Sequence, residues 1–200
     1  MPADRDKRFS DEAALVAALK RKDEEAFSAL VRNYQGRLFG IAYGMTQDRE
    51  ESLDIVQETF LKALQNIQTF RGDAGIATWL YRITVNLSLN WKRRWKRRLK
   101  RFHISLESDD RAADHALRDE RHEPDAVHEA EQLENQFQRA LKALPEEHRS
   151  VFVLKEVEGL SYEEISRVLR INKGTVSSRL FNARKKLKAS MKPFLGQEKE

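Results

Sequence analysis

Apolar residues recur every three or four positions through most of the chain, which is the spacing of one face of an α-helix. One such series follows Asp23 and comprises Phe27, Leu30, Val31, Tyr34, Leu38, Ile41, Ala42 and Met45. Asp23 is well placed to cap that helix, because its carboxylate can accept hydrogen bonds from the first backbone N–H groups. No segment alternates apolar and polar residues as a half-buried strand would. We therefore predict an all-α protein.

The charge pattern divides these helices into two small domains. Trp91–Arg101 reads WKRRWKRRLKR, with eight basic residues of eleven, whereas residues 105–134 hold eleven Asp and Glu against three Arg. The first part of the acidic stretch lacks apolar periodicity and contains Pro124, so it buries too little surface to offset the entropy of ordering. We predict an N-terminal segment with the start of the first helix at 1–19, a helical bundle at 20–101, a flexible acidic linker at 102–128 and a second helical domain at 129–195.

Composition excludes several classes of protein. The chain has no cysteine, which rules out disulfides, thiolate zinc sites and a thiol nucleophile. No apolar stretch approaches the roughly 18 residues of a membrane span. The charged N-terminus lacks the apolar core of an export signal, so we expect a cytoplasmic protein without membrane insertion.

Signs of catalysis are also missing from the sequence. It contains no Gly-rich phosphate loop, no nucleophile–base pair and no histidine at metal-ligand spacing near the acidic residues of 48–58. We predict no catalytic residue, no metal site and no cofactor. An acidic helix of this kind is usually a solvated face, and a protein partner with a basic surface is the alternative.

The C-terminal part of the chain has the pattern of a helix-turn-helix. Ser161–Glu164 reads SYEE, a capping box that starts a short helix, and Arg170–Asn172 form a turn before a last helix capped by Asn172. That helix is polar at its start and basic further along, as suits base contacts followed by phosphate contacts in a major groove. An ordinary helical hairpin with a solvated basic face is the alternative. Arg170 stands where glycine would relieve left-handed strain, at a cost of ~1 kcal/mol.

The basic tract allows three interpretations. Trp91, Trp95, Leu99 and Phe102 form an aromatic and apolar stripe surrounded by Lys and Arg. Such a helix can follow nucleic-acid phosphates, lie on a membrane surface, or extend into solvent with its stripe in the core.

Three segments resemble those of extracytoplasmic-function sigma factors, the small two-domain members of the bacterial sigma-70 family. They are DIVQETFLKAL at Asp54–Leu64, FRGDAGIATWLYRITVN at Phe70–Asn86, and LPEEHRSVFVLKEVEGLSYEEISRVLRINKGTVSSRLFNARKKL at Leu144–Leu187. The resemblance covers about residues 20–101 and 129–192, the family's regions 2 and 4. It implies a factor that directs core RNA polymerase to specific promoters and assists DNA melting, and that an anti-sigma factor holds inactive.

The resemblance also implies contact residues. Those for core polymerase are Leu53, Asp54, Gln57, Glu58 and Phe60. Those for the −10 element, including a base flipped into the loop Phe70–Ala77, are Lys62, Phe70, Thr78, Tyr81, Asn86, Asn90, Lys92, Arg93 and Arg94. Those for the −35 element are Lys173, Thr175, Ser177, Ser178, Arg179, Asn182 and Arg184. Base flipping costs only a few kcal/mol of unstacking and exposes the Watson–Crick edge.

Two recognition-helix positions depart from the family pattern. Ser177 and Asn182 stand where many relatives carry Arg, which predicts fewer phosphate contacts at the −35 element. A second function also fits the helix-turn-helix: a stand-alone transcription regulator whose N-terminal bundle serves dimerisation or sensing. The polar and aromatic segment Phe70–Asn86 favours the sigma factor, because a dimerisation bundle has no use for such a loop.

Overall fold

The computed structural model describes residue 9, residues 11–103 and residues 125–195, with the side chains of 9, 11–91 and 131–194. All regular elements in these ranges are helical, which confirms the predicted all-α class. They are α1 (Glu12–Lys20), α2 (Glu24–Thr46), α3 (Arg49–Asn66), a 3₁₀ turn (Ile67–Thr69), α4 (Ile76–His103), α5 (Asp125–Ala143), α6 (Glu146–Phe152), a π-helical turn (Val153–Val157), α7 (Tyr162–Leu169) and α8 (Lys173–Leu195). Residues 104–124, most of the predicted linker, lie outside the described residues.

Aspartate side chains start the first three helices. Asp23 caps α2 as predicted, with its Oδ1 accepting hydrogen bonds from the backbone N–H groups of Glu25 at 2.9 Å and Ala26 at 3.1 Å. Asp11 and Asp48 cap α1 and α3 in the same way. Each cap satisfies backbone donors that the first turn of a helix leaves without partners.

The apolar series Trp79, Leu80, Ile83, Leu87 and Trp91 predicts a helix that Thr78 caps, but this prediction is wrong. The helix begins at Ile76, and Thr78 lies inside its first turn with only 9% of its surface exposed. The cap comes instead from α1, where Glu12 Oε1 accepts a hydrogen bond of 2.9 Å from the Ile76 N–H. Because Glu12 is 64 positions away in sequence, no local pattern indicates this cap.

Proline is disfavoured inside a helix, so the sequence predicts that the last helix ends before Pro193, but the structure differs. The helix continues to Leu195 with Pro193 inside its last turn. Proline removes one backbone donor from a helix. At this position the affected turn is exposed, as Ala189 and Lys192 are, so water can hydrate the carbonyl left without a partner.

The first module packs α2, α3 and α4 against one another, with α1 against α2 and the 3₁₀ turn. Its core includes Leu38, Ile41, Leu80 and Val85, each at most 2% exposed. α1 lies mostly within the N-terminal segment 1–19, and its buried residues Leu15, Ala18 and Leu19 belong to the same core.

The second module is formed by α5, α6, the π-helical turn, α7 and α8. Its core includes Val151, Leu154, Ile165 and Leu180, each at most 1% exposed. Gly159 follows the π-helical turn in the left-handed conformation, with φ of 69°, which is the usual place of glycine after a helix end.

The two modules are in direct contact through glycines of α2. A Cβ atom on Gly44 would lie 2.7 Å from Val153 Cγ2, and one on Gly40 would lie 2.8 Å from Glu158 Oε1. At Gly44 the absence of a side chain allows Val153 of the π-helical turn to approach the α2 backbone, whereas at Gly40 the close atom is the end of the flexible Glu158 side chain.

Arg149 joins the modules at one end of this contact. Its side chain is fully buried, and Nη1 donates to the Met45 carbonyl at 2.9 Å while Nη2 donates to the carbonyls of Leu144, at 3.0 Å, and of Lys142. Met45 lies in the last turn of α2, and Lys142 and Leu144 lie at the end of α5. The guanidinium therefore satisfies carbonyls that two helix ends leave without partners.

We predict opposite effects of alanine at two glycines of α2. Gly44→Ala should lower the free energy of unfolding by about 1–3 kcal/mol, because the methyl group overpacks against Val153. Gly36→Ala should raise it by about 0.5–1 kcal/mol, because a Cβ there meets no atom within 4 Å and alanine favours helix. Urea unfolding followed by circular dichroism measures both values. Equal effects of the two substitutions would contradict close packing at Gly44.

Candidate nucleic-acid interface

α7 and α8 form the predicted helix-turn-helix. The capping box at the start of α7 is complete, with the Glu164 N–H donating to Ser161 Oγ at 3.2 Å and the Ser161 N–H donating to Glu164 Oε2 at 2.8 Å. At the start of α8 the Thr175 N–H donates to Asn172 Oδ1 at 2.7 Å, so Asn172 caps that helix as predicted. Both helix starts are thus fixed by side chains that the sequence identifies.

The turn between these helices holds Arg170 in the left-handed conformation. Its φ is 56° and its ψ is 46°, and its N–H still donates to the Ser166 carbonyl. A residue with a Cβ is strained there by about 1–2 kcal/mol. The strain expected from the sequence is therefore present in the folded chain.

Packing turns the polar side of α8 outward. Val176, Leu180, Ala183 and Leu187 face the core, and Ile165 and Val168 of α7 are buried with them. The predicted −35 residues Lys173, Ser177, Ser178, Asn182 and Arg184 are exposed, and Thr175 and Arg179 are half-buried. One residue on this side escaped the sequence analysis: Phe181 is 67% exposed. Phe181 lies outside the inward series Val176, Leu180, Ala183 and Leu187, and this offset is the signal that could have identified it.

Three of the basic residues on this surface are paired with carboxylates. Lys173 Nζ lies 2.9 Å from Glu163 Oε2, Arg179 Nη2 lies 2.7 Å from Glu147 Oε2, and Arg184 Nη2 lies 2.5 Å from Glu156 Oε1. Lys173, followed by Arg167, lowers the pKa of Glu163. Exposed pairs of this kind contribute about 0–1 kcal/mol, so phosphate groups can replace these carboxylates at little cost.

In the first module, the loop between the 3₁₀ turn and α4 is built around an aromatic pair. The rings of Phe70 and Trp79 have centroids 5.0 Å apart and are tilted by 43°. Lys20 of α1 donates to the Phe70 carbonyl at 2.9 Å, and Gly72 takes a φ of 80° that favours glycine. The loop is therefore held at both ends by α1, through Lys20 and through the Glu12 cap on α4.

The predicted −10 residues are spread along α4 and its neighbours. Asn86 and Asn90 are exposed, but Phe70, Thr78 and Tyr81 are buried. Thr78 and Asn90 are three turns apart, or about 18 Å along the helix. Lys62 of α3 lies 3.3 Å from Glu58 in an exposed pair. The side chains of Lys92, Arg93 and Arg94 lie outside the described residues.

Tyr81 faces α2 and the boundary between the modules. Its hydroxyl accepts a hydrogen bond of 3.3 Å from Arg37 Nη1, and the ring is 2% exposed. Burial raises the pKa of Tyr81. Burial also raises the pKa of Glu158, which reaches toward α2 from the second module. Tyr81 therefore supports the packing of α4 rather than lining an open surface.

The outer face of α3 carries the residues predicted to bind polymerase, with one exception. Leu53 is 45% exposed, and Asp54, Gln57 and Glu58 lie on or near the surface. Phe60 is 5% exposed and packs edge-to-face on Phe27, with centroids 6.3 Å apart. Leu61, which the sequence analysis missed, is 58% exposed, and with Leu53 and Gln57 it forms a stripe at four-residue spacing.

Neither a metal site nor a membrane span is found in the described parts of the chain. No three His, Asp or Glu side chains of residues 9, 11–91 and 131–194 are grouped to hold an ion. No helix among them is both long enough and apolar enough to cross a bilayer.

Comparisons with known proteins match both modules. A family model for sigma-70 region 2 matches residues 30–98, and one for sigma-70 region 4 matches residues 134–187. The RNA polymerase sigma-H factor of Pseudomonas aeruginosa is 36% identical over 90% of this chain and 94% of its own length. The ECF RNA polymerase sigma-E factor of Haemophilus influenzae is 34% identical over 91% of this chain and 96% of its own length.

A solved structure has the same fold. The sigma factor RpoE of Bartonella quintana, crystallised with the anti-sigma factor NepR, superposes with a TM-score of 0.62 at 22% identity. The match covers 83% of this chain and 96% of that one.

We predict that Arg170→Gly stabilises the helix-turn-helix. Relief of left-handed strain exceeds the extra chain entropy of glycine by roughly 0.5 kcal/mol. Arg167→Gly, inside α7, should instead destabilise the protein by about 1 kcal/mol. Thermal unfolding by calorimetry compares the two, and a lower melting temperature for Arg170→Gly would contradict strain at this turn.

Proposed function

The chain belongs to the extracytoplasmic-function sigma factors of the sigma-70 family. We propose which of its surfaces bind RNA polymerase and which bind promoter DNA. It is an alternative sigma factor that directs RNA polymerase to specific promoters. The observation that carries this function is the presence of regions 2 and 4, in order, on two helical modules, one of them a helix-turn-helix. We propose that it contributes binding surfaces and no catalytic residue or cofactor, and that it acts in the cytoplasm with the polymerase.

We propose that α8 reads the −35 element in the major groove. Ser177, Ser178 and Asn182 are exposed on one side of the helix and offer hydroxyl and amide groups to base edges. Lys173 and Arg184 supply charge for phosphates once they leave their carboxylate partners. The exposed ring of Phe181 is suited to an apolar contact with a thymine methyl group.

We propose that the stripe of Leu53, Gln57 and Leu61 on α3 docks on core polymerase. Two leucines about half exposed on one helix face indicate a protein contact. Asp54 and Glu58 border the stripe and would face a basic surface. Phe60 acts indirectly, because its ring fixes α3 against Phe27 of α2.

We propose that the −10 strand runs along the exposed side of α4 to the loop Phe70–Ala77. Asn86 and Asn90 offer amides to base edges there, and Lys92, Arg93 and Arg94 continue the same helix toward the strand's phosphates. Thr78 and Tyr81 would support the helix from within, since both are buried.

Promoter geometry requires the modules to separate. About 25 base pairs between the two elements, at 3.4 Å each, place them roughly 85 Å apart. A domain of about 100 residues has a radius of gyration near 13 Å, so two touching modules cannot reach both elements. The 21 residues 104–124 can span at most about 75 Å when extended, which is enough to connect the separated modules.

We propose an anti-sigma factor as a further partner. The sigma factor from Bartonella quintana was crystallised with one. A protein that bound across both modules could hold them together and keep α8 and the α3 stripe from DNA and polymerase.

We predict that Leu53→Ala combined with Gln57→Ala weakens core polymerase binding by about tenfold, because the stripe loses its apolar anchor. Leu133→Ala is the matched control, since Leu133 is 41% exposed on α5 and outside the stripe. Fluorescence titration with bacterial core polymerase measures the affinity, and run-off transcription measures function.

The stand-alone regulator predicts a different result in the same assays. The proposed sigma-factor function is wrong if the wild-type chain binds promoter duplex tightly without polymerase and core polymerase makes no promoter-specific transcript in its presence.

A further inference from the structure

A cleft of about 380 Å³ lies between the two modules, beside the aromatic pair of the first. Its walls are the end of the 3₁₀ turn and the start of the loop (residues 69–74), Trp79 and Arg82 of α4, and Arg167 of α7. The cleft therefore adjoins the loop to which the proposed function assigns the −10 strand.

Trp79 and Phe70 form one wall of the cleft. Trp79 is half-buried and its ring tilts against that of Phe70. An aromatic face of this kind can stack with any base, and such stacking contributes about 1–3 kcal/mol per base.

Arg82 has no carboxylate partner among the side chains that the structure describes. Its Nη2 donates to the Arg167 carbonyl at 2.6 Å, and its Nε is buried with no hydrogen-bond partner in the part of the chain that the structure describes. Burial, followed by the nearby charge of Arg170, lowers the pKa of Arg82. A guanidinium binds phosphate far better than it binds a single carbonyl, because phosphate accepts two charge-assisted hydrogen bonds.

The second module closes the cleft. Arg167 is held by Glu163 in an ion pair of 2.9 Å, and its backbone carbonyl faces Arg82. Separation of the modules, which promoter geometry requires, removes this carbonyl and leaves the Arg82 guanidinium with an open donor edge.

We propose that Arg82 binds a backbone phosphate of the nucleotide whose base stacks on Trp79, and that the Arg167 carbonyl occupies this site while the modules are in contact. The proposal rests on the proposed function, because the phosphate belongs to the −10 strand. Arg82 lies one turn after Trp79 on α4, so the two side chains are neighbours on the helix surface and can hold one nucleotide.

The test uses holoenzyme assembled from the full chain and core polymerase. The ligand is a fork-shaped promoter DNA whose −10 strand is single-stranded. Arg82→Gln should weaken binding by about tenfold and lower the salt dependence, the slope of log K against log salt, by about 0.7. Arg82→Lys, which keeps the charge, should restore part of the affinity. Arg139→Gln is the matched control, since Arg139 is exposed on α5 and the substitution removes the same charge.

Neutral methylphosphonate linkages placed singly along the −10 strand locate the contact. A methylphosphonate at one position should weaken DNA binding by the wild-type holoenzyme. The same linkage should cause no further loss of affinity in Arg82→Gln. If Arg82→Gln does not fold, the same scan on the wild type and on Arg82→Lys decides the question. A wild type insensitive to every single position would overturn the proposal.

The controls separate this inference from the proposed function. Wild type and Arg139→Gln should both give promoter-specific transcripts with core polymerase. If neither does, the proposed function is wrong. If both do, and Arg82→Gln matches the wild type in affinity and in salt dependence, only the role of Arg82 is wrong.

Discussion

The packing of the two modules depends on Arg149, a buried cation that joins the C-terminal ends of α2 and α5. Carbonyl oxygens at helix ends lack partners within the helix and lie at the negative end of its dipole. Each buried polar group left without a partner costs about 1–3 kcal/mol, so the guanidinium favours one relative placement of these helices. Gly44 then allows the π-helical turn to lie directly on α2.

This packing has a consequence for each DNA-binding surface. It leaves the polar side of α8 facing outward, with its basic residues held by carboxylates of the second module that phosphates can displace. It also brings α7 against α4, so the Arg82 guanidinium donates a hydrogen bond to the Arg167 carbonyl at the edge of the cleft beside the loop. The −35 surface is therefore accessible in the closed form, whereas the cleft is partly covered.

Much of this structure could be predicted from local sequence, and the rest depends on contacts distant in sequence. The caps by Asp23, Ser161 and Asn172 were predictable, because a cap is a side chain acting on its own turn. The start of α4 was not, because Glu12 caps it across the bundle. The resemblance placed Phe60 of α3 among the contact residues, although its ring is buried. Neither the Arg149 contact nor the cleft at Arg82 has a local signal, since each joins both modules.

The modules are in contact in the free chain, and we infer that they separate on the promoter. The chain has no cysteine, so Asn33→Cys in α2 and Ser190→Cys in α8, both exposed, provide two unique sites for fluorescent labels. Single-molecule energy transfer should report one short distance in the free chain and a much longer one in holoenzyme bound to promoter DNA. The same distance in both states, or a long distance in the free chain, would contradict the claim.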